Sequence, residues 1–480
     1  VTLNLGIDPT LSKRIGTLAV PVILGMFTET LVNHVDTALV GRLPGSTGVD
    51  GVAAIGLSLP LFWAIGGFFS SISVGTQAIT ARRFGEGQME LAGRALSNSL
   101  VIALACGLCI SLVGWFVIPE VFPLLSPNPN VARLGAAYCQ IRMLNVFSMV
   151  VTFSFKSFFD AIGKTYVHMI ASITMNFVNI GMALLLVYGN LGFPRLEVAG
   201  SAWATLIATY VGLGFMVYWS LRKENREAFR YFRLSNLNRH VAWEIVRLSV
   251  PSGLATIFVM SGFEFFLWVM GHIQPTPVYL RELATLPLGG AMLQAAGILR
   301  PDLITSASWI MISFLMMVFM ISIAFGTATA TLVGQSLGAG KPDLAERYGW
   351  QSVRIGGYVM GLLGVAIILF PRVFLAIFTD KVAVIEVAVP AFRLMGAFTG
   401  VISAGLVLVQ ALYGAGNPKF VMKVELLLHF GCLIPLSYLL GIVLGGGMLG
   451  TWSAAAVYAV LLTSILAWKF RQGKWKQIQL

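Results

Sequence analysis

Gly85-Glu86-Gly87-Gln88-Met89-Glu90-Leu91-Ala92-Gly93-Arg94 and Gly338-Ala339-Gly340-Lys341-Pro342-Asp343-Leu344-Ala345-Glu346-Arg347 are two copies of one stretch. Both read G-x-G-x-x-[acid]-L-A-x-R, they lie 338 − 85 = 253 residues apart, and each joins two long apolar runs. A duplicated loop between duplicated apolar segments is how two similar helical bundles of a transporter look in sequence. The copy extends outward. Gly163 matches Gly416 at the same offset, and Gly200-Ser201-Ala202-Trp203 resembles Gly450-Thr451-Trp452-Ser453. Near the start, Leu18-Ala19-Val20-Pro21 matches Leu248-Ser249-Val250-Pro251 at an offset of 248 − 18 = 230. The difference, 253 − 230 = 23, predicts an insertion in the second half, placed at about 274–302 by Pro275, Pro277, Pro287 and Pro301. Its middle reads either as a short interfacial helix capping the outer opening or as a plain long loop.

Composition places the chain in a membrane. It is 57% hydrophobic and 11% charged, against about 25% charged in a soluble domain. A helix needs about 20 apolar residues to cross a bilayer. Twelve such runs are present, from roughly 15–41 to 449–469. They are continuously apolar, which excludes the alternation of a transmembrane barrel. The first run carries Glu29 and Asp36 and lacks a small-residue cleavage site, so it reads as a retained helix. The expected fold is an all-α membrane protein with twelve transmembrane helices in two pseudo-symmetric six-helix lobes. The lobes span 1–221 and 243–480, joined by a charged linker at 222–242.

The net charge of +12 orients the helices and does not mark a nucleic-acid binder. Most Lys and Arg fall in alternate loops, such as Arg82, Arg83, Arg222, Lys223, Arg226 and Lys341. This positive-inside bias puts both termini in the cytoplasm and the chain in the plasma membrane. Cys106 and Cys109 have CxxC spacing inside an apolar helix beside Gly107 and read as small packing residues. A monomer is expected, with the lipid bilayer and a small amphipathic molecule as partners.

Ionisable groups inside a membrane are expensive and mark function. Glu29, Asn33 and Asp36 lie at i, i+4 and i+7, one face of the first helix. Two carboxylates facing one cavity disfavour simultaneous ionisation, so the pair can hold and release a proton. It could alternatively coordinate Na⁺, or form a satisfied polar patch. Asn176 and Asn179 share a face of the fifth helix and could bond these acids or glue helices. His34 and Glu264 are secondary candidates; under the 230 offset they match each other. Lys156 and Asp160 should pair at i, i+4. Lys423 and Glu425 are placed near a cytoplasmic helix end, where they can snorkel. Pro21 and Pro251 occupy matching places and permit bends.

No Walker loop, HExxH or Cys/His metal spacing occurs. An enzyme or ATP-driven pump is therefore not expected, and no cofactor beyond H⁺ or Na⁺ as coupling ion.

At these residues the chain resembles a known family. Val35-Asp36-Thr37-Ala38-Leu39-Val40-Gly41 is similar to the VDT-x-x-x-G signature of multidrug and toxic compound extrusion (MATE) transporters. Gln335-Ser336-Leu337-Gly338-Ala339-Gly340 resembles that family's Gln-x-x-Gly-Ala-Gly loop, whereas Arg82-Arg83-Phe84-Gly85-Glu86-Gly87 departs from it. The resemblance covers nearly the whole chain apart from the insertion. It implies two six-helix lobes, alternating access, and export of amphipathic, often cationic, drugs against H⁺ or Na⁺. It also implies that Asp36 is the cation site and that Pro21 marks a bend. Three departures from branch patterns are Ala183, Glu29 and Val259. The expected function is an antiporter in which protonation of Asp36, tuned by Glu29, repacks the first helix around Pro21, Asn176 and Asn179. The alternatives are a flippase for a lipid-linked substrate, mildly favoured by Arg142, and a non-transporting polytopic receptor or scaffold.

Overall fold

The computed structural model describes residues 6–273 and 301–480. The first lobe contains α1 (Pro9–Gly41), α2 in two pieces (Ser46–Ser70 and Ile72–Gly85), α3 (Met89–Leu125), α4 (Pro129–Ala161), α5 (Tyr166–Tyr188) and α6 (Glu197–Leu221). The second contains α7 (Arg239–Gly271), α8 (Pro301–Gly338), α9 (Pro342–Leu369), α10 (Val382–Gly414), α11 (Pro418–Val443) and α12 (Gly447–Arg471). Among the described residues, 11 of these helices are long and apolar enough to span a membrane unaided. The other is α2, which breaks at Ser71. The insertion expected at 274–302 lies, but for its last two residues, outside the described residues.

Helix starts follow local chemistry. Asp8 caps α1, its Oδ1 accepting from the amides of Thr10 and Leu11 at 3.0 and 3.3 Å, with Pro9 in the first turn. Asn128 does the same for α4 before Pro129. Along α3 a stripe of small residues, Ala103, Gly107, Ser111 and Gly114, faces α4. A Cβ on Gly107 would sit 3.0 Å from the Phe147 backbone. The opposite stripe, Leu108, Leu112 and Phe116, is exposed, as a lipid-facing surface must be. Cys106 and Cys109 are free thiols on this helix.

The repeat seen in the sequence is a repeat in backbone geometry. Gly87 and Gly340 both adopt left-handed conformations, φ +78° and +69°. Their loops close with the same bonds, Gln88 N–H to Arg83 O and Lys341 N–H to Ser336 O, each 2.9 Å. Gly163 and Gly416, φ +80° and +82°, repeat this below α4 and α10, with amides of Lys164 and Asn417 reaching Phe159 O and Leu412 O, each 2.8 Å. These are glycine-terminated helix ends in which carbonyls left by the last turn find a donor.

The two copies meet. A Cβ on Gly85 would fall 2.1 Å from Gln335 O, and one on Gly338 would fall 2.0 Å from Arg82 O. Since 85 + 253 = 338 and 82 + 253 = 335, this is one contact made twice across a pseudo-two-fold axis. Cross-lobe hydrogen bonds cluster at this glycine-loop end. Gln77 Nε2 donates to Thr327 O and Thr331 Oγ1, Gln335 Nε2 to Ala161 O, and Arg347 pairs with Asp8. The shared apolar seam is also there: Leu11, Ile15, Leu18 and Ala19 of α1 pack with Phe325, Ala328 and Leu332 of α8. Toward the far end each lobe has its own core, around Leu39, Val40 and Val198 in the first and Phe314, Phe392 and Trp452 in the second.

Between the lobes runs a short helix, Lys223–Phe229. Phe229 and Tyr231 of this segment are buried in the first lobe's core against Phe158.

Candidate functional site

The first lobe encloses a cavity of about 120 Å³, walled by Glu29, Phe62, Arg142, Asn145, His168 and Thr205 among others. It lies between α1, α2, α4, α5 and α6, and its polar chemistry divides into two groups.

The deeper group centres on Asp36, 3% exposed. Its Oδ2 accepts from Thr205 Oγ1 at 2.8 Å, and Thr205 in turn accepts from Asn179 Nδ2 at 3.1 Å. Asn179 of α5 is thus linked to the helix-one acid through Thr205 of α6. Asp36 Oδ1, Asn179 Oδ1, Ser201 Oγ and both polar atoms of Asn176 are buried with no hydrogen-bond partner among the described residues. Arg142 is the charge that bears on Asp36. Its guanidinium lies 4.4 Å from the Phe62 ring centroid, a cation–π placement that offsets part of its desolvation.

The second group centres on Glu29. Its Oε1 accepts from Ser172 Oγ at 3.1 Å and lies 3.6 Å from His168 Nε2. Lys156, which pairs with Asp160 at 3.0 Å as its spacing predicts, contributes its charge to Glu29. Glu29 lines the cavity, whereas Asp36 lies behind its Thr205 wall, and each acid is bonded to its own partners. No bond joins them among the described residues.

The remaining predicted residues separate from this site. Asn33 lies on α1 between the two acids, but its side chain is outside the described residues. His34 and Glu264 are exposed on α1 and α7. Pro21 and Pro251 lie inside α1 and α7, each running as one helix through the proline.

Sequence reasoning missed His168, Ser172 and Thr205. A signal was present: His168, Ser172, Asn176 and Asn179 fall at i, i+4, i+8 and i+11, a continuous polar stripe on an apolar helix. The reading of Glu425 as a snorkelling end residue is overturned. Glu425 is 5% exposed and bonded to Tyr458 at 2.8 Å, because α11 turns that face toward α12.

Comparison with known proteins agrees with this architecture. The MatE family model matches residues 21–185 and 288–439. A probable multidrug resistance protein NorM of Geobacillus kaustophilus is 25% identical over 97% of this chain and 95% of its own length. The multidrug resistance protein PmpM of Pseudomonas aeruginosa is 23% identical over 90% of this chain and 84% of its own. Among solved structures, a MOP-superfamily transporter from Pyrococcus furiosus, described as having a binding pocket of reversed polarity, superposes with TM-score 0.82. It is 19% identical and covers 98% of this chain and 97% of that one. An outward-facing multidrug resistance MATE transporter gives TM-score 0.82 at 20% identity, covering 96% of this chain and 95% of that one. A twelve-helix, two-lobed membrane protein matched by one family model across both lobes, the chain belongs to the MatE family of multidrug and toxic compound extrusion transporters.

Proposed function

We propose that the protein is a secondary active antiporter that exports amphipathic, cationic compounds by alternating access, coupled to cation binding at Asp36. The observation that carries this reading is the buried Asp36–Thr205–Asn179 chain behind the first-lobe cavity. An intramembrane carboxylate is costly to keep ionised and responds strongly to a bound cation. The coupling ion is H⁺ or Na⁺. A proton needs only Asp36, whereas Na⁺ would draw on the unpartnered oxygens of Asp36, Asn179, Asn176 and Ser201, the hard ligands such an ion prefers. Glu29, on the cavity wall, supplies the negative charge that attracts a cationic substrate. Cation binding at Asp36 would weaken the tie of α1 to α6 and let α1 repack about Pro21, shifting the balance between two lobe arrangements.

We place the glycine-loop end and both termini in the cytoplasm, on the Lys and Arg distribution. On that orientation the lobes are sealed at the cytoplasmic side, which is an outward-facing arrangement. The likeness to a transporter described as outward-facing supports it.

A second reading, transport of a lipid-linked anionic substrate, is favoured by Arg142 in the same cavity. Proteoliposomes decide between them. Ethidium efflux should follow an imposed ΔpH or ΔpNa, and Asp36→Asn should abolish the coupling. Ethidium exchange by D36N equal to wild type would overturn the role of Asp36. Scrambling of a lipid-linked anion without ethidium transport would favour the flippase.

A further inference from the structure

The second lobe contains a buried polar cluster that the mechanism above does not use. Glu425 and His429 lie one turn apart on α11, 5% and 3% exposed. Glu425 Oε2 accepts from the Tyr458 hydroxyl of α12 at 2.8 Å and lies 3.2 Å from His429 Nδ1. The same Nδ1 lies 2.9 Å from the Glu425 carbonyl oxygen, and the imidazole meets the Tyr458 ring edge-on at 4.7 Å between centroids.

The repeat gives this cluster a meaning. The offset of 253 that pairs Gly163 with Gly416 also pairs Ser172 with Glu425 and Asn176 with His429. In the first lobe Ser172 receives its acid from α1, as Glu29. In the second lobe the α7 position matching Glu29 is 29 + 230 = 259, a valine, and the acid stands on α11 itself. Tyr458 lies on α12, the counterpart of α6, one turn beyond the position that matches Thr205 (205 + 250 = 455). Each lobe thus buries a carboxylate bonded to a hydroxyl of its last helix. The acid has changed helix, which hid the correspondence.

Two local features adapt α11 to the cluster. A π-turn spans His429–Leu433, just before Pro435, whereas α5 is a regular α-helix; such turns are frequent at functional positions. Gly262 of α7 makes room for the imidazole, since a Cβ there would fall 2.3 Å from His429 Cδ2. The other titratable groups near the cluster are Tyr413 of α10, on which the charge of Glu425 acts, and Cys432 of α11, which acts on Tyr458. No Lys or Arg pairs with Glu425 among the described residues.

We infer that Glu425, His429 and Tyr458 form a proton-binding site of the second lobe. The donor chemistry selects the ligand. Around Asp36 the spare groups include four oxygens, but here the groups facing the carboxylate are an imidazole and a phenol, which can donate hydrogens to it and present too few oxygens to cage a hard cation such as Na⁺. A proton from solvent forms an O–H bond at Glu425 Oε2 and neutralises it. The bond from the Tyr458 hydroxyl then loses its charged acceptor and weakens, loosening α11 from α12. A role for this step in transport rests on the antiport reading above; the site itself does not.

The test is pH-difference infrared spectroscopy of the protein in lipid vesicles, paired with ΔpH-driven ethidium efflux from the same vesicles. On acidification the wild type should show carboxylic acid bands from two buried groups. Asp36→Asn should remove one, Glu425→Gln the other, and Tyr458→Phe, which deletes a single hydroxyl and guards against misfolding, should shift the second. E425Q should also lower the number of protons exchanged per ethidium. An unchanged band in both E425Q and Y458F would overturn the site. A lost band with unchanged proton-to-ethidium ratio would overturn its coupling role. If the wild type moves no ethidium under either ΔpH or ΔpNa, the antiport reading fails, and the bands alone decide the site.

Discussion

Thr205 shows what one hydroxyl can carry. It donates to Asp36 and accepts from Asn179, so it is the joint between α1, α5 and α6. A hydrogen bond to a charged group contributes about 1.5–3 kcal/mol, enough to bias a cation equilibrium by tenfold or more. Replacing Thr205 by Val keeps the shape and deletes the donor. Ethidium exchange in proteoliposomes should slow by about tenfold or more, while Thr205→Ser, which retains the hydroxyl, should remain close to wild type. Equal rates for the Val and Ser variants would show that the bond does not serve coupling. At this scale the sequence was a partial guide. Asp36 stood out because an acid in an apolar run is conspicuous, but a Thr in an apolar helix is common and carries no mark of its partner.

The glycines of the duplicated loops do two different jobs. Gly87 and Gly340 turn the chain with positive φ and have open space beside them, whereas Gly85 and Gly338 touch the partner helix backbone. Alanine at 338 would collide with the Arg82 carbonyl, and neither side of that contact is a flexible side chain. Overpacking of this kind costs about 1–3 kcal/mol and should pry α2 from α8. Gly338→Ala should therefore destabilise the seal between lobes and raise maleimide labelling of a cysteine placed at Thr331. Gly340→Ala, with only left-handed strain of about 1–2 kcal/mol, should lower the unfolding temperature without increasing that labelling. If both behave alike, the seam is not held by the glycine contact. The sequence displayed the motif twice, yet nothing in it said that the copies pack on each other.

The bonds that tie the lobes concentrate at one end, although Thr30–Met320 and Ser71–Ser249 join them deeper. Bonds from Gln77 to Thr327 and Thr331, from Gln335 to Ala161, and from Arg347 to Asp8 all join the lobes at the glycine-loop end. Alternating access requires these to break. A disulfide between Gln77→Cys and Thr331→Cys, introduced after replacing the four native cysteines, should stop ethidium transport under oxidising conditions and release it on reduction. Continued transport by the cross-linked protein would exclude opening at this end.

The sequence by itself determined the number of helices, their grouping into two lobes, the glycine loops and the presence of acids within the first helix. Those features follow from hydropathy over some twenty residues, backbone freedom at glycine and the rarity of charge in a membrane, all of which are local. Tertiary structure decided which polar groups meet. It separated Glu29 from Asp36, joined Asp36 to Asn179 through Thr205, left His34 and Glu264 at the surface, and assembled Glu425, His429 and Tyr458 in the second lobe. Helix rotation and packing choose those partners. The repeat offset shifts from 230 to 253 to 250 along the chain, so no single offset relates the two halves.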